Sequence, residues 1–233
     1  MAKIFQATHV GRVRYNNEDS LIVIEPQTYV VADGMGGAQA GEVASQMLVE
    51  TVKNFLSKSA RPWDEKILSQ AILLANDKIL NLARRHEEYH GMGTTATILS
   101  LDGDKAYFAH VGDSRLYLLR KNNFQQITAD HSYVETLVRR GELTAEEARV
   151  HPMKNVLIQA VGAMENLFID AADFPVARGD KFLLCTDGLT NMVEDELISK
   201  ILQTAENPAD ALIEAALEAG GKDNISVIVA GVD

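Results

Sequence analysis

Tyr29-Val30-Val31-Ala32-Asp33-Gly34-Met35-Gly36-Gly37 runs from an apolar segment into an acid set among glycines. Val30 to Ala32 read as a buried strand, because β-branched side chains pack well on a pleated surface. The glycines then permit a tight turn and a close approach of the backbone to something bound. A helical pattern follows at once. Asp33 is therefore expected at the exit of a core strand, with main-chain groups open beside it. That setting suits a hard cation, which takes carboxylate, carbonyl and water oxygens. Taken alone, the stretch is equally an ordinary strand-turn-helix junction.

Before it, Leu21 to Ile24 form a short apolar strand that Pro26-Gln27 breaks, so a hairpin returns through Tyr29. The polar segment from Gly11 to Asp19 feeds that hairpin and brings Arg14, Glu18 and Asp19 within range of Asp33; a solvated turn is the other reading. Residues 3 to 10 read as a first strand. After the glycines, Ala44, Met47, Leu48, Thr51, Val52 and Phe55 form a stripe at helical spacing, and a second helix opens near Asp64 as N-cap. Thr94 to Leu101 and Lys105 to Val111 read as a hairpin around Asp102-Gly103. Gly112-Asp113-Ser114 punctuates the strands, and Arg115 to Leu119 and Phe124 to Thr128 continue them.

Residues 133 to 154 change character. Tyr133, Val134, Leu137 and Val138 give a short helical face, Gly141 stops it, and Thr144 to Glu147 reads as a capping box. Such an excursion between core elements is a candidate flap beside a site. Asn155 to Val161 is expected to return toward a sheet, and Phe168 to Asp173 to make an irregular strand. Lys181 to Thr186 then repeats the opening arrangement, an apolar strand ending on Asp187-Gly188. Met192 to Leu202 reads as helix. Asn207-Pro208 caps another helix, to about Ala219. Asp223-Asn224 precedes the strand Ile225 to Ala230. Strict βα alternation is absent, which favours an α+β fold of two mostly antiparallel sheets packed together under helices, with 1–233 as one domain.

The 233 residues carry 33 acids against 22 bases, a formal net charge of -11, and no concentrated basic stripe, so nucleic acid is not an expected partner. No run of 18 apolar residues exists to insert in a membrane. The single cysteine, Cys185, lies in an apolar run and reads as core, which fits a reducing, cytoplasmic setting. A monomer is the expectation. His86 and His90, four apart among acids, read as surface residues.

Asp33, Asp187 and Asp223 each stand at an apolar strand boundary, Asp113 stands between strands, and Glu18-Asp19 precedes one. Gathered carboxylates repel and are costly to desolvate unless cations neutralise them. No Cys/His set has zinc spacing. All-oxygen ligation favours Mg2+ or Mn2+, and two such ions about 4 Å apart can lower the pKa of a shared water and aim it at phosphorus. An arginine would grip the phosphoryl group, and Arg14 is the candidate. A calcium-stabilised structural domain and a non-catalytic binding module are the competing classes.

The ordered set of motifs resembles the bacterial branch of the protein phosphatase 2C family, the metal-dependent protein serine/threonine phosphatases. The matching segments are Gly11 to Arg14 with Asn17-Glu18-Asp19, Val31 to Gly37, Gly93-Thr94-Thr95, and Val111 to Arg115. They continue with Asp130-His131-Ser132, His151-Pro152, Leu184 to Leu189 and Gly221 to Ser226. The resemblance implies a four-layer α-β-β-α sandwich with the site at one edge. It implies Asp33 bridging two Mn2+ or Mg2+ ions, the Gly34 carbonyl on the first, Asp187 and Asp223 on the second, and Glu18 and Asp19 holding or orienting metal-bound water. A third ion is implied through Asp113 and Asp187, with Arg14 on the phosphate and direct attack by a metal-bridging hydroxide without a phosphoenzyme. Residues 133 to 154 match the family's flap. Expected partners are phosphorylated proteins, with a cognate serine/threonine kinase and its substrates. A weakly catalytic or non-catalytic phosphoprotein-binding domain of the same fold is the alternative. Two departures stand out: Met35 occupies a place where animal members commonly carry a proton-donating His, and Gln159 a place where bacterial relatives often carry Arg. His131 and His151 are expected to place the flap rather than to react.

Overall fold

The structure is a computed structural model that describes residues 3–36 and 40–232; Gly37 of the opening stretch lies outside the described residues. In chain order the elements are strands β1 (Ile4–His9), β2 (Asp19–Ile24) and β3 (Thr28–Met35), then helices α1 (Ala40–Leu56) and α2 (Glu65–Arg85). Strands β4 (Gly93–Thr94), β5 (Ala96–Asp102), β6 (Lys105–Val111), β7 (Arg115–Arg120) and β8 (Asn123–Gln126) follow. Helices α3 (Tyr133–Arg139) and α4 (Ala145–Val150) interrupt the sheets before β9 (Asp170–Pro175) and β10 (Lys181–Cys185). The chain closes with α5 (Asp187–Thr190), α6 (Asp195–Thr204), α7 (Pro208–Glu218) and β11 (Ile225–Gly231).

One sheet has the order β1-β11-β10-β7-β8 and the other β2-β3-β5-β6-β9, with β4 paired to the end of β3. All the strand pairs described are antiparallel. The period of two along each strand sorts the side chains into three apolar layers. Tyr29 and Val31 join Leu99, Phe108, Leu116, Phe182, Leu184 and Ile228 between the sheets. Val30 and Ala32 face the other way, onto Leu48, Val52, Leu68 and Ile72 of α1 and α2. Leu183 and Cys185 pack with Ile198, Leu202 and Leu212 of α6 and α7. Helices, two sheets and helices therefore stack as an α-β-β-α sandwich, the expected α+β architecture.

The predicted caps form: Asp64 accepts from the Ile67 amide, Asn207 from the Asp210 amide, and Thr144 and Glu147 close a capping box. Three local readings change. Gly112-Asp113-Ser114 does not merely punctuate a strand, because β6 and β7 lie in different sheets and the chain crosses between layers there. Residues 155–161 approach β-structure only through the isolated bridges Ser132 to Leu157 and Thr94 to Val161. The helix expected over Met192 to Leu202 begins at Asp195, and a separate helical turn starts earlier, at Asp187. Glu194, extended at φ -73 and ψ 149, divides the two.

Candidate metal centre

The alternation that buries Tyr29 and Val31 between the sheets carries Asp33 onto the same face, at the open end of the sandwich. Its backbone is pinned: the Asp33 amide donates to Thr95 Oγ1 at 2.8 Å, and its carbonyl accepts from the Thr95 amide at 2.9 Å and Thr94 Oγ1 at 3.0 Å. Asp19 lies directly across the β2–β3 pair from Asp33, so the two acids share that face. The second sheet supplies Asp187, at the start of α5 just past β10, and Asp223, two residues before β11. Thr186 ties the halves together, donating from Oγ1 to Asp19 Oδ2 at 2.8 Å while accepting from the Ser226 amide at 3.0 Å.

Close backbone approach requires two of the glycines. A Cβ on Gly34 would stand 2.0 Å from the Gly41 carbonyl oxygen, and one on Gly188 would stand 1.8 Å from that of Asn224. Where a Cβ on Gly41 would stand, Glu18 Oε2 is 2.7 Å and the Gly34 carbonyl oxygen 2.8 Å away. A carboxylate oxygen and a main-chain oxygen therefore converge beside Gly41, at the start of α1.

The carboxyls raise one another. Burial lifts Asp33 well above the ordinary range, reinforced by Asp19, Asp187, Asp113 and Asp223. Burial, with Asp187 and Asp130, does the same to Asp113. Asp19 is pushed up to about 7, mainly by burial, against the hydrogen bonds of Ser226 and Thr186. Asp187 reaches about 6 through burial and Asp223, against a hydrogen bond with Asp33 and the charge of Lys154. Glu18 is raised by burial. Asp19 Oδ1 and Asp187 Oδ1 are buried without a hydrogen-bond partner, a costly condition for carboxylate oxygens. Cations would relieve both the repulsion and the orphaned oxygens, and the donors are all oxygen, so the set fits hard divalent ions. Among the described residues no three His, Cys, Asp or Glu side chains converge in a metal-holding group. Both Asp223 oxygens are engaged, Oδ2 by Arg14 at 2.8 Å and Oδ1 by the Asn224 amide at 2.9 Å. Ions here would rely on the Gly34 carbonyl and water as well as carboxylates.

Arg14, Glu18, Asp33, Asp113, Asp187 and Asp223 line one cleft of about 210 Å3, with Gly34 and Met35 in its wall. All the sequence-predicted acids but Asp19 thus meet Arg14 in the cleft lining, and Asp19 stands across the β2–β3 pair from Asp33. The half-exposed Arg14 guanidinium stands at the mouth. Met35 lies over Gly93, where a Cβ would meet its Cε at 2.9 Å. Gln159 accepts from the Phe168 amide at 3.0 Å and is not among the cleft-lining residues. His131 braces the layer crossing: its amide donates to the Gly112 carbonyl at 2.7 Å and its Nδ1 accepts from the Gly112 amide. His151 Nδ1 accepts from the Met153 amide within the 133–154 excursion.

Asn224 and Asn191 have a part in the site and carried no role in the sequence reading, and the buried His110 lies behind it. Asn224 accepts from the Glu18 amide and donates to the Val10 and Asn16 carbonyls, clipping the loop that bears Arg14. Its place after Asp223 was the only signal. Asn191 donates to Asp187 Oδ2 at 2.8 Å and accepts from Lys154 Nζ at 3.1 Å. Helical spacing of four links Asn191 to Asp187, but only once α5 is known to start at Asp187. His110, buried beside His131 with ring centroids 4.9 Å apart, is held near pKa 3 by burial.

The chain matches the family described as Protein phosphatase 2C over residues 11–219. It is 38% identical over 237 residues to the serine/threonine phosphatase stp of Listeria innocua serovar 6a, covering 95% of this chain and 92% of that protein. It is 40% identical over 227 residues to the serine/threonine protein phosphatase PstP of Mycobacterium tuberculosis, covering 95% of this chain and 43% of the longer protein. The crystal structure of the Mycobacterium tuberculosis phosphatase PstP superposes with a TM-score of 0.94 at 36% identity, covering 100% of this chain and 99% of that one. The PstP catalytic domain in complex with two manganese ions superposes with a TM-score of 0.91 at 36% identity, over the same shares. With the sandwich and the acids at its open end, these matches show that the chain belongs to the protein phosphatase 2C family.

Proposed function

We propose that this protein hydrolyses phosphoserine and phosphothreonine in other proteins, using two Mn2+ or Mg2+ ions and a third near Asp113. The observation that carries the reading is the union of Asp33 from one sheet with Asp187 and Asp223 from the other in a cleft lined also by Arg14, with Asp19 paired across from Asp33 and orphaned oxygens on Asp19 and Asp187. Glu18, Asp33 and the Gly34 carbonyl would serve one ion, and Asp33, Asp187 and Asp223 the other, after side-chain movement that brings them closer than they stand here. Bound divalent ions supply water of lowered pKa and neutralise charge building on the phosphoryl oxygens.

The chain's own groups do the rest. Arg14 binds two phosphoryl oxygens with its planar fork and turns the ester toward the acids. Glu18 and Asp19, the latter held by Thr186, would hold or orient the water that the ions bind. Among the described residues no cysteine or histidine lines the cleft, and burial holds the Cys185 thiol up at about 12, which supports direct attack by water over a cysteinyl or histidinyl phosphoenzyme. Met35 brings no proton, so the leaving oxygen takes one from water or a carboxyl of the cleft. Residues 1–233 act as one catalytic unit, with 133–154 as a flap beside the cleft. A partner serine/threonine kinase and its targets are the natural source of substrate.

A phosphothreonine peptide incubated with Mn2+ should release phosphate, EDTA should stop the release, and Asp187→Asn or Asp223→Asn should abolish it. Folded protein in excess Mn2+ that turns over no phosphopeptide would overturn the reading.

A further inference from the structure

A second cavity, of about 370 Å3, lies between α3–α4 and α5–α6, within the ~300–1,000 Å3 of ordinary ligand pockets. It shares Asp113, Asn155 and Asp187 with the catalytic cleft, so a chain whose phosphate sits in the cleft can continue into it. Its charge is one-sided: eight Asp and Glu residues line it against three bases. Each of those bases is already engaged. Arg115 makes a bidentate pair with Asp130, at 2.9 and 2.7 Å, and also meets Tyr117. Arg149 pairs with Glu194, and Lys154 donates to Asn191.

Apart from Asp113, which also lines the catalytic cleft, two of the acids are not engaged. Glu146 on α4 and Glu196 on α6 both line the cavity. Both are exposed, and neither has a hydrogen-bond or ion-pair partner among the described residues. Val134 and Val138 of α3 line the same cavity. Carboxylates at the rim beside apolar side chains match the two halves of a Lys or Arg side chain, an aliphatic stem and a cationic head.

We propose that this cavity binds the residues flanking the phosphorylated position of a protein substrate, and that Glu146 and Glu196 select cationic side chains there. The inference rests on the phosphatase reading and adds a substrate preference to it. Partly exposed charge pairs act modestly and are screened by salt. The expected preference is therefore about 3- to 10-fold in kcat/KM for a basic flank over an acidic one.

The test compares phosphothreonine peptides carrying Arg or Glu on the N-terminal or the C-terminal side, with p-nitrophenyl phosphate as a small ester that lacks a flank. An Arg peptide should outrun its Glu counterpart on at least one side, less so in about 0.5 M salt. The ratio should fall toward one in Glu146→Gln/Glu196→Gln and invert in Glu146→Lys/Glu196→Lys. It should survive in Glu214→Gln/Glu218→Gln, which removes as many exposed acids from α7. Equal rates for Arg and Glu peptides, or a preference indifferent to Glu146 and Glu196, overturn the proposal while leaving the phosphatase reading intact. Failure to hydrolyse either the peptides or the small ester overturns both.

Discussion

Asn191 Nδ2 donates to Asp187 Oδ2 at 2.8 Å, and Asn191 Oδ1 accepts from Lys154 Nζ at 3.1 Å. The amide fixes the orientation of a candidate metal ligand and joins it to the 133–154 excursion. Partners behind a ligand typically matter about 10- to 100-fold in metal affinity or activity. Asn191→Ala should weaken Mn2+ binding by about 10-fold, measured by titration calorimetry, while the protein keeps its melting temperature without metal. Lys154→Ala should move the same affinity in the same direction by less. Unchanged binding in both would show that the bridge has no hold on the site.

Stability should depend on pH in a particular sense. Asp19 at about 7 and Asp187 at about 6 are raised from 3.8 by burial and, secondarily, by neighbouring acids. An acid raised in the folded state binds its proton more tightly folded than unfolded. Its stabilising contribution is complete below the unfolded pKa and is lost as pH climbs through the folded one. Without metal, the melting temperature should therefore fall between about pH 5 and pH 7.5. Mn2+, which competes with protons for these carboxylates, should restore more of it at the upper end. A metal-free melting temperature that rises across this window contradicts the geometry.

Gly34→Ala puts a methyl group 2.0 Å from the Gly41 carbonyl oxygen and 2.6 Å from that of Glu18. Backbone cannot step aside as a flexible side chain does. The substitution should cost about 1–3 kcal/mol or more in urea unfolding. It should also spoil Mn2+ binding, because the Gly34 carbonyl moves with it. Gly103→Ala, whose Cβ meets nothing within 4 Å although its φ is +60, should cost less and leave binding alone.

Arg14 and Asn224 should fail together. Asn224 holds the loop at the Val10 and Asn16 carbonyls and the Glu18 amide, and Arg14 rides on that loop. Arg14→Ala should raise KM for phosphopeptides by about 10-fold or more, as loss of a charged grip predicts. Asn224→Ala should do the same in part, and the double variant should be less than additive. Steady-state kinetics on the three proteins decide it.

Much of the sandwich was legible because burial writes a period of two into strands such as Tyr29 to Ala32 and a period near 3.6 into α1. The acids were legible for a related reason: Asp33, Asp187 and Asp223 each end or precede an apolar run, where a charge is conspicuous. What stayed hidden was relational. Nothing local says that Gly112 to Ser114 changes sheets, because the residues on both sides read as strand either way. Asn191 and Asn224 are ordinary surface-type residues until their partners, 37 and 206 positions away, arrive in space. The helix at Asp187 is too short to carry a periodic signal.

The site is split across the order of synthesis. Asp19 and Asp33 leave the ribosome early, but Asp223 precedes β11, which lies between β1 and β10 in its sheet. Until residue 231 is free, β1 and β10 have no neighbour to join them, and the carboxylate wall stands half built. A chain free only as far as α5 therefore holds Asp19, Asp33 and Asp187 without the strand that follows Asp223, and the wall is complete once β11 slots between one strand made first and one made late.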